Sequence, residues 1–115
     1  MKQRTIHTDI IREAIDRLLY RANFVLPPEV REIFSGMKEN EPGEIARMTL
    51  SVLEENALIA KEESLPLCQD CGAVIIFLEL GQQVCLEGGN INDVIQCAVG
   101  DAYKKYYLRK SIVGD

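Results

Sequence analysis

An α+β fold is predicted by three observations. Helical periodicity fills most of the chain ahead of Pro66, a β-branched and aromatic run follows at residues 73–80, and another amphipathic stretch begins after Gly88 and Gly89. The expected order is three helices, a β-hairpin contributing to a small antiparallel sheet, and a C-terminal helix, in a single domain over residues 1–115. The first helix rests on Ile6, Ile10, Ile11, Ala14, Ile15, Leu18, Leu19 and Ala22, with Thr5 or Thr8 as N-cap. Pro27 and Pro28 then break the chain and open a short helix with Val30, Ile33, Phe34 and Met37 on its apolar side, since proline is tolerated in a first turn. After a polar turn at Asn40, Glu41, Pro42 and Gly43, residues 44–61 form the longest helix. Its stripe of Ile45, Met48, Val52, Leu53, Ala57 and Ala60 is broad enough for contact on more than one side.

Residues 73–80 (AVIIFLEL) hold too few polar side chains for a surface helix and read as a largely buried strand. Gly81 and Gln82 turn the chain, and residues 83–86 read as the second, antiparallel strand. Gly88 and Gly89 end the hairpin. Asn90 caps the last helix with Asp93 in its first turn, and Ile91, Val94, Ile95, Ala98, Val99, Ala102, Tyr103 and Tyr106 form its buried stripe. A two-stranded hairpin is rarely stable alone, and residues 111–115 lack a polar tail, so further strands are expected from outside this chain.

Composition narrows the function. With 47% hydrophobic residues, 115 residues suffice for a modest core. A net charge of −5 and a pI near 4.9 argue against nucleic acid or an anionic membrane as partner. Lys104, Lys105, Arg109 and Lys110 cluster near a helix C-terminus, where they suit its dipole. No run of about 18 apolar residues is present for a membrane span. Met1, Lys2, Gln3 and Arg4 lead into a polar helix rather than a secretory signal, so a cytoplasmic chain is expected. There the four cysteines should stay reduced, which favours metal binding or catalysis over disulfides.

The informative segment is Pro66-Leu67-Cys68-Gln69-Asp70-Cys71-Gly72: two thiols, an amide and a carboxylate in a turn closed by glycine. A zinc site should show a second close ligand pair, whereas Cys85 and Cys97 lie far apart in sequence and the single histidine, His7, sits on the first helix. A redox CxxC should open a helix, whereas a strand follows here. Burial as small hydrophobes suits Cys85 and Cys97, and suits Cys68 poorly, because Gln69 and Asp70 adjoin it. Tyr103, Tyr106 and Tyr107 read as packing residues, and His7 as incidental.

Residues 63–81 (ESLPLCQDCGAVIIFLELG) resemble the signature of the class I fumarase and L-tartrate dehydratase family, typically LPxCQDTG followed by an apolar strand and a glycine. The later AYKKYYLRKSIV resembles that family's AY…LRxS helix end at the expected distance, and the N-terminal helices resemble its opening segment. The resemblance implies the N-terminal part of the α subunit of an iron–sulfur hydro-lyase. Cys68 would then be one of three thiolate ligands of a [4Fe–4S] cluster, whose open iron acts as a Lewis acid on a substrate hydroxyl. Gln69 and Asp70 would line the active site, Asp70 contacting the departing hydroxyl or moving the proton. Arg109 would clamp a carboxylate of a small 2-hydroxy dicarboxylate. The general base would come from the C-terminal domain or β subunit, and an oligomer is implied.

Two departures stand out. Cys71 replaces the usual threonine, and Cys85 and Cys97 do not sit in segments resembling the family's second and third cluster cysteines. The alternative expectation is a non-catalytic, stand-alone remnant that binds metal or another protein.

Overall fold

The computed structural model describes residues 3–112. Met1, Lys2 and residues 113–115, which enter the reading of both ends, lie outside the described residues. The elements run β1 (Arg4–His7), α1 (Thr8–Phe24), α2 (Pro28–Asn40), α3 (Glu44–Glu63), β2 (Val84–Glu87) and α4 (Ile91–Lys105).

Helix and strand are mixed as expected, but the antiparallel hairpin does not form. The turn itself exists, with the Val84 N–H donating to the Gly81 carbonyl at 3.0 Å. The strand leaving it pairs with β1 instead, in parallel, with Arg4 opposite Val84 and His7 opposite Glu87. A parallel pair needs a long crossover, which α1, α2 and α3 provide. Ile6 therefore belongs to β1 rather than to the first helix, and His7 is that strand's last residue. The close approach of the two strand ends explains Gly88. It sits at φ +102, and a Cβ there would lie 2.6 Å from side-chain atoms of both His7 and Thr8. Thr8, at the head of α1, is only 1% exposed.

Residues 73–80, expected as a largely buried strand, join no ladder and are mostly exposed. An alternation survives. Val74, Ile76 and Leu78 line a groove with Ile95 and Val99 of α4, whereas Ile75 and Phe77 are 75% and 93% exposed. The side-chain pattern of a strand is present without strand partners.

Two compact units divide the chain. In Met1–Tyr20 with Asp70–Asp115, the buried side chains include Ile15, Leu19, Val94, Ala98, Ala102, Tyr103 and Leu108. Around them α1 and α4 are joined by Asp16, which holds Lys105 at 3.0 Å and accepts from the Tyr106 hydroxyl at 2.8 Å. The Tyr20 ring tilts against that of Tyr106 at 5.4 Å. Asn90 caps α4 as expected, its side chain accepting from the Asn92 N–H at 2.9 Å. Cys97 falls off the Val94–Ala98–Ala102 stripe and is exposed, and Cys85 is half-buried, so neither is the fully buried hydrophobe the sequence implied.

In Arg21–Gln69, α2 packs on α3, and Glu54 of α3 accepts from the Ser35 hydroxyl and the Lys38 ammonium of α2. Of the broad α3 stripe only Ala57 and Ala60 are buried, while Ile45 and Met48 face solvent. Ser64, in the left-handed region at φ 53, stops α3, and both its own N–H and that of Leu65 return to the Ala60 carbonyl.

Candidate functional site

Cys68 lies just past a residue that is anchored on both sides. The Leu67 N–H donates to the Asn23 carbonyl at 2.7 Å, and its carbonyl accepts from the Asn56 side chain at 2.9 Å. The backbone is thus fixed one residue ahead of an exposed thiol, and Gln69 beside it is exposed too.

Residues 70–72 form a turn of their own in the other unit. Asp70 Oδ1 accepts from the Gly72 N–H at 3.0 Å, an Asx-turn bond, and Gly72 sits at φ +61 where a side chain is disfavoured. The same oxygen accepts from the Ser111 hydroxyl at 2.6 Å. The Cys71 carbonyl accepts from the Tyr103 hydroxyl at 3.4 Å, and the Cys71 sulfur accepts from the Arg109 N–H at 3.3 Å. The second motif is therefore folded onto the first.

The end of α4 brings them together. Tyr107 takes a left-handed conformation at φ 54, and the Leu108 N–H returns to the Tyr103 carbonyl at 3.0 Å, while the Tyr107 N–H reaches Lys104 at 3.4 Å. This is a Schellman stop built on tyrosine instead of glycine, with Leu108 buried beside Tyr103. A left-handed tyrosine costs about 1–2 kcal/mol. The chain reversal it makes sends residues 109–111 along the Asp70 turn.

The electrostatics follow from these bonds. The Ser111 hydroxyl, then the Gly72 N–H, and the charge of Arg109 hold the Asp70 carboxyl below the usual carboxylate range. Asp70 is exposed, so this describes its charge state and not a stability gain. Burial, with Asp70 nearby, pushes the Tyr103 phenol up, which keeps it a donor. The Arg109 guanidinium is exposed and makes no ion pair among the described residues. An open cleft of about 360 Å³ adjoins the turn, with Gly72, Tyr103, Lys110 and Ser111 in its lining. A larger hollow of about 500 Å³ along α2 holds none of the motif residues.

Among the described residues no three His, Cys, Asp or Glu side chains come together as a metal site. The three thiolates that a [4Fe–4S] cluster would need are not brought together among the described residues. Asp70 and Arg109 are brought to one turn. Ser111 and Tyr103 were missed as site residues, although both lie in the second motif; only the fold shows what their hydroxyls bond.

Comparison with known proteins covers the segments that hold both motifs. The family model described as fumarate hydratase (fumerase) matches residues 12–115. A Methanocaldococcus jannaschii protein provisionally named L(+)-tartrate dehydratase subunit alpha is 33% identical over 104 residues, which is 90% of this chain. The chain spans 36% of that relative's length. With the family model matching residues 12–115 and nine-tenths of the chain aligned to that relative, the chain belongs to the fumarate hydratase (fumerase) family.

Proposed function

We propose that this chain is the N-terminal portion of an iron–sulfur hydro-lyase α subunit and supplies part of its active site. The reaction is reversible removal of water from a small 2-hydroxy dicarboxylate. The observation that carries the reading is the meeting of the two motifs, with Asp70 of the first bonded to Ser111 of the second and Arg109 backing Cys71 between them. In this reading Cys68 gives one thiolate to a [4Fe–4S] cluster whose other ligands lie outside this chain. Gln69 and Asp70 contact substrate, and Asp70 accepts a hydrogen bond from the departing hydroxyl or relays its proton. Arg109, with no ion pair of its own among the described residues, clamps a substrate carboxylate with its planar fork.

Partners follow from two facts. The relative is named an alpha subunit and is much longer than this chain. The exposed run at residues 73–80 has the composition of a covered strand. We infer that the remainder of the α subunit and a β subunit or C-terminal domain complete the site, in an oligomer. No helix of the structure is long and apolar enough to cross a membrane, and cytoplasmic chemistry fits a reduced thiolate ligand.

The test combines this chain with the remainder of its subunits after anaerobic cluster reconstitution and follows dehydration of 2-hydroxy dicarboxylates. Wild type should turn over, and Asp70→Asn should lose at least about 100-fold in rate. No turnover of any such substrate would overturn the reading. Iron retained stably by the 115-residue chain alone would favour the non-catalytic metal-binding alternative.

A further inference from the structure

Asp70 has two oxygens and they are treated differently. Oδ1 takes both the Gly72 N–H at 3.0 Å and the Ser111 hydroxyl at 2.6 Å. Among the described residues Oδ2 takes no hydrogen bond. The two bonds to Oδ1 come from different parts of the chain. One is local to the turn, and the other reaches across 41 residues. The local bond alone leaves the carboxylate free to pivot about its side-chain torsions. The distant one adds a second anchor on the same oxygen, from a separate part of the chain.

We propose that Ser111 is a positioning residue for Asp70, locking Oδ1 so that Oδ2 is the oxygen presented to the substrate hydroxyl. This rests on the reading of Asp70 as a substrate-contacting carboxylate. Ser111 itself touches no reacting atom in this assignment; it acts through Asp70. The supporting geometry runs back to α4. The stop at Tyr107 sets the path of residues 109–111, Leu108 is buried beneath it, and the Arg109 N–H on the Cys71 sulfur holds the start of that segment against the turn. Ser111 is thus placed by the helix stop and by the Arg109–Cys71 contact. The 2.6 Å bond is in the range of hydroxyl donation to an ionised carboxylate. The assignment also gives a physical reason for the serine in the second motif. A donor with a rotatable O–H, small enough to lie against a turn, is what the arrangement needs at this position.

The expected signature is kinetic. In the assembled, reconstituted enzyme, Ser111→Ala should lower kcat about 10- to 100-fold while KM moves less than about threefold, as expected when a reacting group loses its alignment and not its ligand. Ser111→Thr, which keeps the hydroxyl, should recover most of the rate. Combined with Asp70→Asn, Ser111→Ala should cause little further loss, because the two act as a unit. Thermal midpoints measured alongside separate loss of fold from loss of alignment. Unchanged kcat in Ser111→Ala, with Asp70→Asn inactive, would overturn the positioning role and leave the active-site reading intact. Equal additional loss in the Asp70→Asn background, or no rescue by threonine, would also overturn it. Full activity in Asp70→Asn would remove the underlying reading and this inference with it.

Discussion

The turn at residues 70–72 and the run at residues 73–80 are adjacent in sequence and opposite in how they are held. In the turn, a carboxylate oxygen, a carbonyl and a sulfur all find donors, supplied by Gly72, Ser111, Tyr103 and Arg109. In the run, no residue joins a ladder, and only one face is lined by α4. The polar stretch is the one that is tied down, and the apolar stretch is the one left open. That reverses the usual expectation that apolar residues find the interior first. Polar groups can be satisfied by a few directed bonds from a neighbouring helix end. A strand needs a partner along at least one edge, and among the described residues none pairs with this run.

Four substitutions probe the turn, the run and the framework around them. The largest effect is at Arg109. Arg109→Lys should raise KM for the dicarboxylate about tenfold or more in the assembled enzyme, since a point charge does not reproduce a bidentate fork. An unchanged KM would remove the carboxylate clamp from the account.

A smaller pair of effects separates the two regions directly. Tyr103→Phe should destabilise the chain by about 0.5–1.5 kcal/mol by denying the Cys71 carbonyl its donor, read as a lowered thermal midpoint. Phe77→Ser should leave that midpoint within about 0.5 kcal/mol of wild type, because its ring is 93% exposed, while weakening association with the remaining subunits. If Phe77→Ser destabilised the isolated chain more than Tyr103→Phe, the contrast between tied turn and open run would be wrong.

The smallest concerns Asp16, outside the site. The Tyr106 hydroxyl, which outweighs the opposing effect of desolvation, holds its carboxyl below the usual range, with Lys105 and Arg17 adding to it. A depressed carboxylate contributes stability that is present above its unfolded-state pKa and lost as pH falls through the lowered value. Acid titration of Asp16→Asn should therefore show a slightly shallower loss of stability than wild type at the acid end, since a solvent-screened ion pair contributes little. Superimposable acid limbs would show the network to be energetically silent.

Much of the helical framework was legible because its signals are local. Pro28 opens α2, Asn90 caps α4, and α3 begins at Glu44 as its periodicity required. The sheet was not legible, since β1 is four residues, Arg-Thr-Ile-His, whose only apolar member also fits the helical repeat that follows. Its pairing with Val84–Glu87 depends on a crossover of three helices and on Gly88 yielding space to His7 and Thr8. The site divides the same way. Cys68, Gln69, Asp70 and Arg109 were named from two motifs. What Ser111 and Tyr103 do there was hidden, because each acts through a bond spanning 41 or 32 residues that no spacing announces.

In the proposed function Cys68, and not another thiol of this chain, ligates the cluster of a shared hydro-lyase site. Iron and sulfide should be counted after anaerobic reconstitution of the assembled enzyme carrying Cys68→Ser or Cys85→Ala. Cys68→Ser should lose the cluster and turnover, and Cys85→Ala should keep wild-type iron with at most a modest loss of packing stability. Equal iron in the two variants, whether both retained or both lost, would contradict it.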